Sequence, residues 1–205
     1  MSGVLDIQFH FGMALYMQME EEAARAAFQK FSKNRIQKYL RQKYGSPDGK
    51  VRIGSNVLLA YTLDEAEEAE KCLGILEIKR GTRRPELLAK LRARLNDVPD
   101  DPVALSRLAE AYEQRPGATK DPLVAKALGW VAYRERGYTR AVQFLTESGK
   151  ERANDADLFF YLGMALYQLN RTSECADVLH KALALNVKHA QAEEANKVLA
   201  SLSRK

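Results

Sequence analysis

The chain has 205 residues, of which 46% are hydrophobic and 29% are charged, a balance typical of a folded protein and not of a disordered one. Its 12 glycines and 6 prolines are few for a fold rich in tight turns, which argues against an all-β sandwich or barrel and favours long helices. The net charge of +5 permits an acidic partner without requiring one.

Hydrophobic periodicity predicts eleven helices joined by short loops. In chain order they span about 4–18, 20–43, 52–62, 64–79, 85–97, 102–115, 122–136, 138–151, 156–169, 172–185 and 189–203. The loop at 116–121 is too short to hold another helix, so 85–97 and 102–115 are predicted to form an antiparallel pair. Asp100, Asp101 and Asp155 are candidate N-caps.

A sequence repeat dominates the chain. The segment DIQFHFGMALY at 6–16 returns as DLFFYLGMALY at 157–167, and a third copy reads LGWVAY at 128–133. Gly129 and Gly163 lie 34 residues apart inside predicted helices. Because a glycine there costs about 1 kcal/mol relative to alanine, we expect each to permit close approach of a second helix, with Leu145 and Leu179 filling the seam.

In its period and residue pattern, the chain resembles the tetratricopeptide repeat family. The resemblance implies a right-handed α-solenoid of stacked antiparallel helix pairs that forms a single domain over 1–205. The repeats would span about 3–43, 51–80, 85–116, 122–155 and 156–189, followed by a capping helix at 189–203. That helix has apolar residues on one side only, as a capping element needs.

Such arrays bind proteins or peptides in a concave groove lined by the first helix of each pair. Transfer of the family's groove positions to this sequence gives eight candidate partner-binding residues: Lys126, Trp130, Tyr133, Arg134, Phe160, Met164, Tyr167 and Gln168. Asp157 occupies a further groove position. Aromatic and methionine side chains suit an apolar or amphipathic peptide; the alternative is that neighbouring repeats cover them. The asparagines and second lysine that hold acidic chaperone tails in this family are missing, so that ligand is not predicted.

The first predicted helix is apolar around nearly its whole circumference, and such a helix is normally buried on all sides. Either a longer array continues from it, or it packs against another chain. Phe9, Met13, Tyr16 and Met17 are therefore candidate residues for self-association as a homodimer.

A second class of function follows from charge. Residues 30–52 hold eight Lys or Arg against Asp48 alone, and residues 79–94 hold seven against Glu86 alone. Basic residues interleaved with tyrosines suit RNA or another polyanion. The alternatives are a solvated face and an internal complement to the acidic helix near 64–70.

Catalytic motifs are absent from the sequence. The histidines His10, His180 and His189 show no metal-binding spacing, and there is neither a phosphate-binding glycine loop nor a nucleophile elbow. Cys72 and Cys175 are predicted to be buried reduced thiols. We therefore expect a cytoplasmic, non-catalytic scaffold without a metal, a cofactor, a signal peptide or a membrane span.

Overall fold

A computed structural model describes residues 2–31, 57–113 and 115–203. Within these ranges the chain forms ten α-helices and no β-strand, which confirms the all-α prediction. Within each of two parts of the chain, helices that follow one another pack against each other. The chain divides into two compact units, Met1–Lys79 and Arg80–Lys205.

The first unit contains α1 (Ser2–Met17), α2 (Glu21–Lys30) and α3 (Val57–Leu76). The first two helices form a hairpin in which Phe9 meets Phe31, with ring centroids 5.4 Å apart, and Tyr16 meets Phe28 at 6.1 Å. A Cβ on Gly12 would lie 2.8 Å from the Phe28 ring, so this glycine lets α2 approach closely. The predicted helix 20–43 is confirmed as far as Lys30, and its remainder lies outside the described residues.

The prediction of two helices at 52–62 and 64–79 is wrong where the structure describes it, because α3 continues without a break from Val57 to Leu76. Its sequence has no proline and no glycine before Gly74, so nothing in the backbone terminates the helix near Leu63. The helix carries the buried Cys72, whose Sγ lies 3.9 Å from Sδ of Met13.

The second unit contains seven α-helices whose bounds agree with the predicted ones to within three residues. They are α4 (Pro85–Asp97), α5 (Pro102–Tyr112), α6 (Pro122–Arg134), α7 (Tyr138–Glu151), α8 (Ala156–Gln168), α9 (Thr172–Ala184) and α10 (His189–Leu202), with a 3₁₀ turn at Ala118–Lys120. Three of them begin at a proline, which suits the first helical position because no hydrogen bond is needed there.

Aspartate side chains cap three of these helices. Asp101 accepts the backbone N–H of Ala104, and Asp155 accepts that of Leu158, as predicted. Asp121 caps α6, although it was not among the predicted N-caps. The third predicted cap, Asp100, makes no capping hydrogen bond and instead accepts a hydrogen bond from Lys188.

The predicted glycine seams are confirmed. An ideal Cβ on Gly129 of α6 would lie 2.6 Å from Cγ of Leu145 in α7, and one on Gly163 of α8 would lie 2.5 Å from Cδ2 of Leu179 in α9. The turns repeat as well: Arg136 and Asn170, also 34 positions apart, have positive φ angles of 61° and 56°. The two pairs α6–α7 and α8–α9 are therefore repeated in structure as well as in sequence.

We predict that Gly129→Ala destabilises the chain by about 1–3 kcal/mol, because the new methyl group would overlap Leu145 and meet its backbone nitrogen at 3.1 Å. The measurement is the free energy of unfolding in urea. Gly149→Ala is the matched control in the same unit, since its Cβ would meet only ordinary contacts at 3.5 Å or more. Equal stability of the two variants would contradict a packing role for Gly129.

Candidate functional site

The structure divides the eight predicted partner-binding residues into two groups. Lys126, with 1% of its surface exposed, and Trp130, Phe160 and Met164, each with 4%, are buried within the chain itself. Tyr133 and Tyr167 are half-buried, and Arg134 and Gln168 are exposed. Four of the eight side chains are therefore accessible in this conformation, and the chain covers the other four.

Lys126 forms a buried cross-link between α6 and α8. Its Nζ donates to both carboxylate oxygens of Asp155 at 2.8 Å. Burial by itself would raise the pKa of Asp155, but Lys126, the Leu158 N–H and Arg152 together hold that pKa below its usual value. A side chain committed in this way fixes the start of α8 against α6.

Trp130 is buried in α6 and makes a cation–π contact with a neighbouring arginine. The guanidinium of Arg134 lies over the Trp130 ring, 5.0 Å from its centroid. Trp130 therefore restrains Arg134 while remaining buried.

The four accessible residues lie in the last turns of two helices, and we call them the helix-end surface: Tyr133 and Arg134 of α6, Tyr167 and Gln168 of α8. Tyr133 packs against Tyr161 at 5.4 Å and Tyr138 at 5.9 Å between ring centroids. Burial, together with nearby Glu194, raises the pKa of Tyr133 to about 12, so its phenol stays protonated at neutral pH. The surface presents aromatic rings, a guanidinium and an amide.

A carboxylate pair lies in the same unit. Asp100 is buried, and one of its carboxylate oxygens accepts a hydrogen bond from Lys188. The other oxygen of Asp100 and the Oδ1 of Asp157 are buried without a hydrogen-bond partner. Burial and then the negative charge of Asp100 raise the pKa of Asp157. Only Asp157 was among the predicted groove positions, because no sequence pattern links Asp100 to a lysine 88 residues away.

The basic stretch 79–94 is largely neutralised by carboxylates of the second unit. Arg80 pairs with Glu110 at 3.1 Å, whereas the pairs Arg84–Glu86, Arg92–Asp121 and Arg94–Asp101 each close at 2.7 Å. Four of the seven basic residues are thus committed to ion pairs. The basic stretch 30–52 lies outside the described residues apart from Lys30 and Phe31.

The four candidate self-association residues also differ in their exposure to solvent. Phe9 and Tyr16 are buried in the α1–α2 hairpin, and Met13 is half-buried next to Cys72. Met17 is 43% exposed, and Phe11, which the sequence reading did not select, is 59% exposed. Phe9 faces α2 in the hairpin. Helical geometry therefore places Phe11, two residues later, on the opposite side of α1.

Within the described ranges, no group of three or more His, Cys, Asp or Glu residues is arranged to hold a metal ion. Nor does any helix of the described part combine the length and apolar character needed to cross a membrane. Comparison with known proteins gives no match: no protein-family model fits the chain, and no curated protein matches it significantly.

Because Lys126 is part of the packing, we predict that Lys126→Met destabilises the chain by about 3–5 kcal/mol by leaving the Asp155 carboxylate buried without its cation. The free energy of unfolding of both proteins is measured from pH 7 to pH 3. Lys126 is the main group that holds the pKa of Asp155 down, so without it burial raises that pKa in the variant, and the stability difference should shrink as the pH falls and the buried carboxylate of the variant takes up a proton.

Lys126→Met/Asp155→Asn is the control for this experiment, since Asn can still accept the Leu158 N–H and cap α8. It should recover part of the lost stability. A single variant as stable as the wild type would show that Lys126 is not a structural cross-link and would return it to the partner-binding set.

Proposed function

We propose that the chain is a non-catalytic protein–protein interaction scaffold, built from tetratricopeptide-like helix pairs that stack as a right-handed α-solenoid and acting in the cytoplasm. The observation that carries the proposal is the repeated glycine seam, in which Gly129 and Gly163 contact leucines of the following helix with the same geometry. Repeated pairs of this kind cannot bury both faces alone, and stacking them leaves an extended surface for partners.

The helix-end surface is the proposed site of contact with a protein or peptide partner. Equivalent positions of two repeats supply a tyrosine and then a polar side chain: Tyr133 with Arg134, and Tyr167 with Gln168. Tyrosine and arginine are enriched among residues that dominate binding energy at protein interfaces. Arg134 is further restrained by the Trp130 ring, so less side-chain entropy is lost on binding.

The charge distribution of the second unit favours a protein partner over RNA or another polyanion. Binding of a nucleic-acid backbone depends on lysines and arginines that are free to neutralise phosphates. Arg92 and Arg94 are instead held by Asp121 and Asp101, with the Arg94 pair fully buried.

Self-association through α1 is part of the same proposal. Phe11 and Met17 are the exposed large apolar side chains of the described residues, and exposed Ala14 lies between them on the helix. From His10 to Gln18 the sequence contains no Asp, Glu, Lys or Arg, so two copies can meet without burying a charge. An antiparallel crossing at Ala14 would place Phe11 of one copy against Met17 of the other, which is the self-complementary contact that a two-fold dimer requires.

We predict that Tyr133→Ala/Arg134→Ala/Tyr167→Ala abolishes capture of the protein partner; both tyrosines pack partly against the core, so the melting temperature should fall while the variant remains folded at the temperature of the assay. The measurement is quantitative affinity purification from the source cell. Glu147→Ala/Lys150→Ala, on the exposed side of α7, is the matched control and should retain the partner. If both variants recover the same set of proteins, the helix-end surface is not the binding site.

We predict that the chain forms a dimer and that Phe11→Ser/Met17→Ser shifts it to a monomer of 23.1 kDa, because the change removes the apolar contact without touching the hairpin interior. Light scattering over a concentration series measures the mass. A wild-type chain that remains monomeric at high micromolar concentration would refute self-association through α1.

A further inference from the structure

A cavity lies at the short connection between α5 and α6, and we call it the connection pocket. Its volume is about 680 Å³, and it is lined by Tyr112 at the end of α5, by Gly117 and Lys120 in the connection, and by Pro122 at the start of α6. Cavities of this size are typical of sites for small ligands. The connection itself lies outside the repeated pairs α6–α7 and α8–α9, so the repeat does not account for the pocket.

Tyr112 is held at both its hydroxyl and its ring. Arg92 of α4 donates a hydrogen bond to the hydroxyl at 3.4 Å, and the guanidinium of Arg115 lies 5.0 Å from the ring centroid. Arg115 also lines the connection pocket. Because a guanidinium restrained on a ring loses less side-chain entropy when it binds a ligand, this contact prepares Arg115 to bind an anion.

Lys120 is the second cation that lines the connection pocket. Its aliphatic chain passes close to Gly117, where an ideal Cβ would lie 3.7 Å from both Cδ and Cε of the lysine. Gly117 has a positive φ of 72°, a conformation that favours glycine. The turn at Gly117 therefore places the lysine side chain beside the pocket.

The connection pocket carries an excess of positive charge. Asp121 is the carboxylate among the described residues that line it, and both of its oxygens are in use. Oδ1 accepts two backbone N–H groups at the start of α6, and Oδ2 pairs with Arg92 at 2.7 Å. Arg115 and Lys120 are exposed, and neither forms an ion pair with any residue that the structure describes. Two positive charges thus remain at the pocket without a carboxylate partner in the described part of the chain.

The charge of the connection pocket matches one phosphate monoester, which carries close to two negative charges at pH 7. A carboxylate would bring only one. Arg115 offers several N–H donors in a fixed plane and Lys120 offers a compact positive charge, and both groups bind phosphate oxygens well. A nucleic-acid backbone would require a longer row of available cations. Four of the seven basic residues in 79–94 are instead paired within the unit.

We propose that the connection pocket binds a single phosphate monoester group, carried by a phosphorylated side chain of a protein or by a small phosphorylated molecule. Arg115 and Lys120 contact the phosphate oxygens, and Tyr112 positions Arg115. The pocket lies at the start of the 13-residue helix α6 and the helix-end surface at its end, about 18 Å away along the helix axis. The two sites are therefore separate, and this proposal does not depend on the scaffold function.

The first experiment measures binding of phosphate probes to the full chain by titration calorimetry at fixed ionic strength. The probes are an uncharged peptide with a central phosphoserine, the same peptide with serine, and inorganic phosphate. Arg115→Gln/Lys120→Gln should weaken binding of the phosphopeptide by about tenfold or more, because charge-assisted hydrogen bonds are lost. Both side chains are exposed, so the melting temperature should stay close to that of the wild type.

Arg140→Gln/Lys197→Gln is the matched control, since it removes the same charge from exposed positions on α7 and α10. Arg140 also lies over an aromatic ring, 5.9 Å from the centroid of Phe144. This variant should bind the phosphopeptide as the wild type does. Equal losses in the two variants would overturn the proposal, and so would a wild-type chain that binds neither phosphorylated probe or that binds the serine peptide equally well.

The same titrations distinguish the two sources of the phosphate group. Phosphopeptide binding that is tighter than inorganic phosphate binding by about tenfold or more would identify a phosphorylated protein, and a smaller difference would identify a small phosphorylated molecule. A short single-stranded RNA without a terminal phosphate tests the remaining class. If the RNA binds more tightly than the phosphopeptide and loses affinity equally in both variants, the chain attracts polyanions in general and the proposal fails.

The second experiment tests the positioning role of Tyr112 without changing any charge. Tyr112→Leu removes the ring on which Arg115 lies and should weaken phosphopeptide binding by about two- to fivefold. Tyr112→Phe keeps the ring, loses only the hydroxyl that accepts from Arg92, and should bind as the wild type does. Equal affinities of the Leu and Phe variants would overturn the role given to Tyr112.

Discussion

The close contact between a glycine on one helix and a large side chain on the next sets the geometry of the repeated pairs. Where Gly129 meets Leu145 and Gly163 meets Leu179, the two helices lie too close to admit a Cβ. This close approach sets the spacing of the two helices in each pair. Trp130, Phe160 and Met164 are buried in the same unit.

The two ends of the repeated helices are built from different chemistry. Near their starts, a buried ion pair joins Lys126 of α6 to Asp155, which caps α8. At their ends, the chain reverses through residues with positive φ, and tyrosines remain partly accessible. The charged contact therefore restrains one end of the α6–α8 layer, which leaves the other end as the surface where binding does not disturb a buried pair.

The sequence predicts local features well, because periodicity, glycine positions and caps act over a few residues. It therefore places α4 to α10 and the glycine seams correctly. It fails at α3, where apolar positions suggested a break that no glycine or proline enforces. It also cannot find the pairing of Asp100 with Lys188 or the burial of Lys126, since these depend on which helices meet across 88 and 29 residues of chain.

Each compact unit carries one cysteine, Cys72 in the first and Cys175 in the second, and both are buried. Burial also raises the pKa of Cys175, which keeps its thiol in the unreactive protonated form. Alkylation of either sulfur therefore requires its own unit to open. Because a labelled peptide identifies which cysteine reacted, the kinetics of thiol trapping in the unmodified chain can time the unfolding of the two units independently.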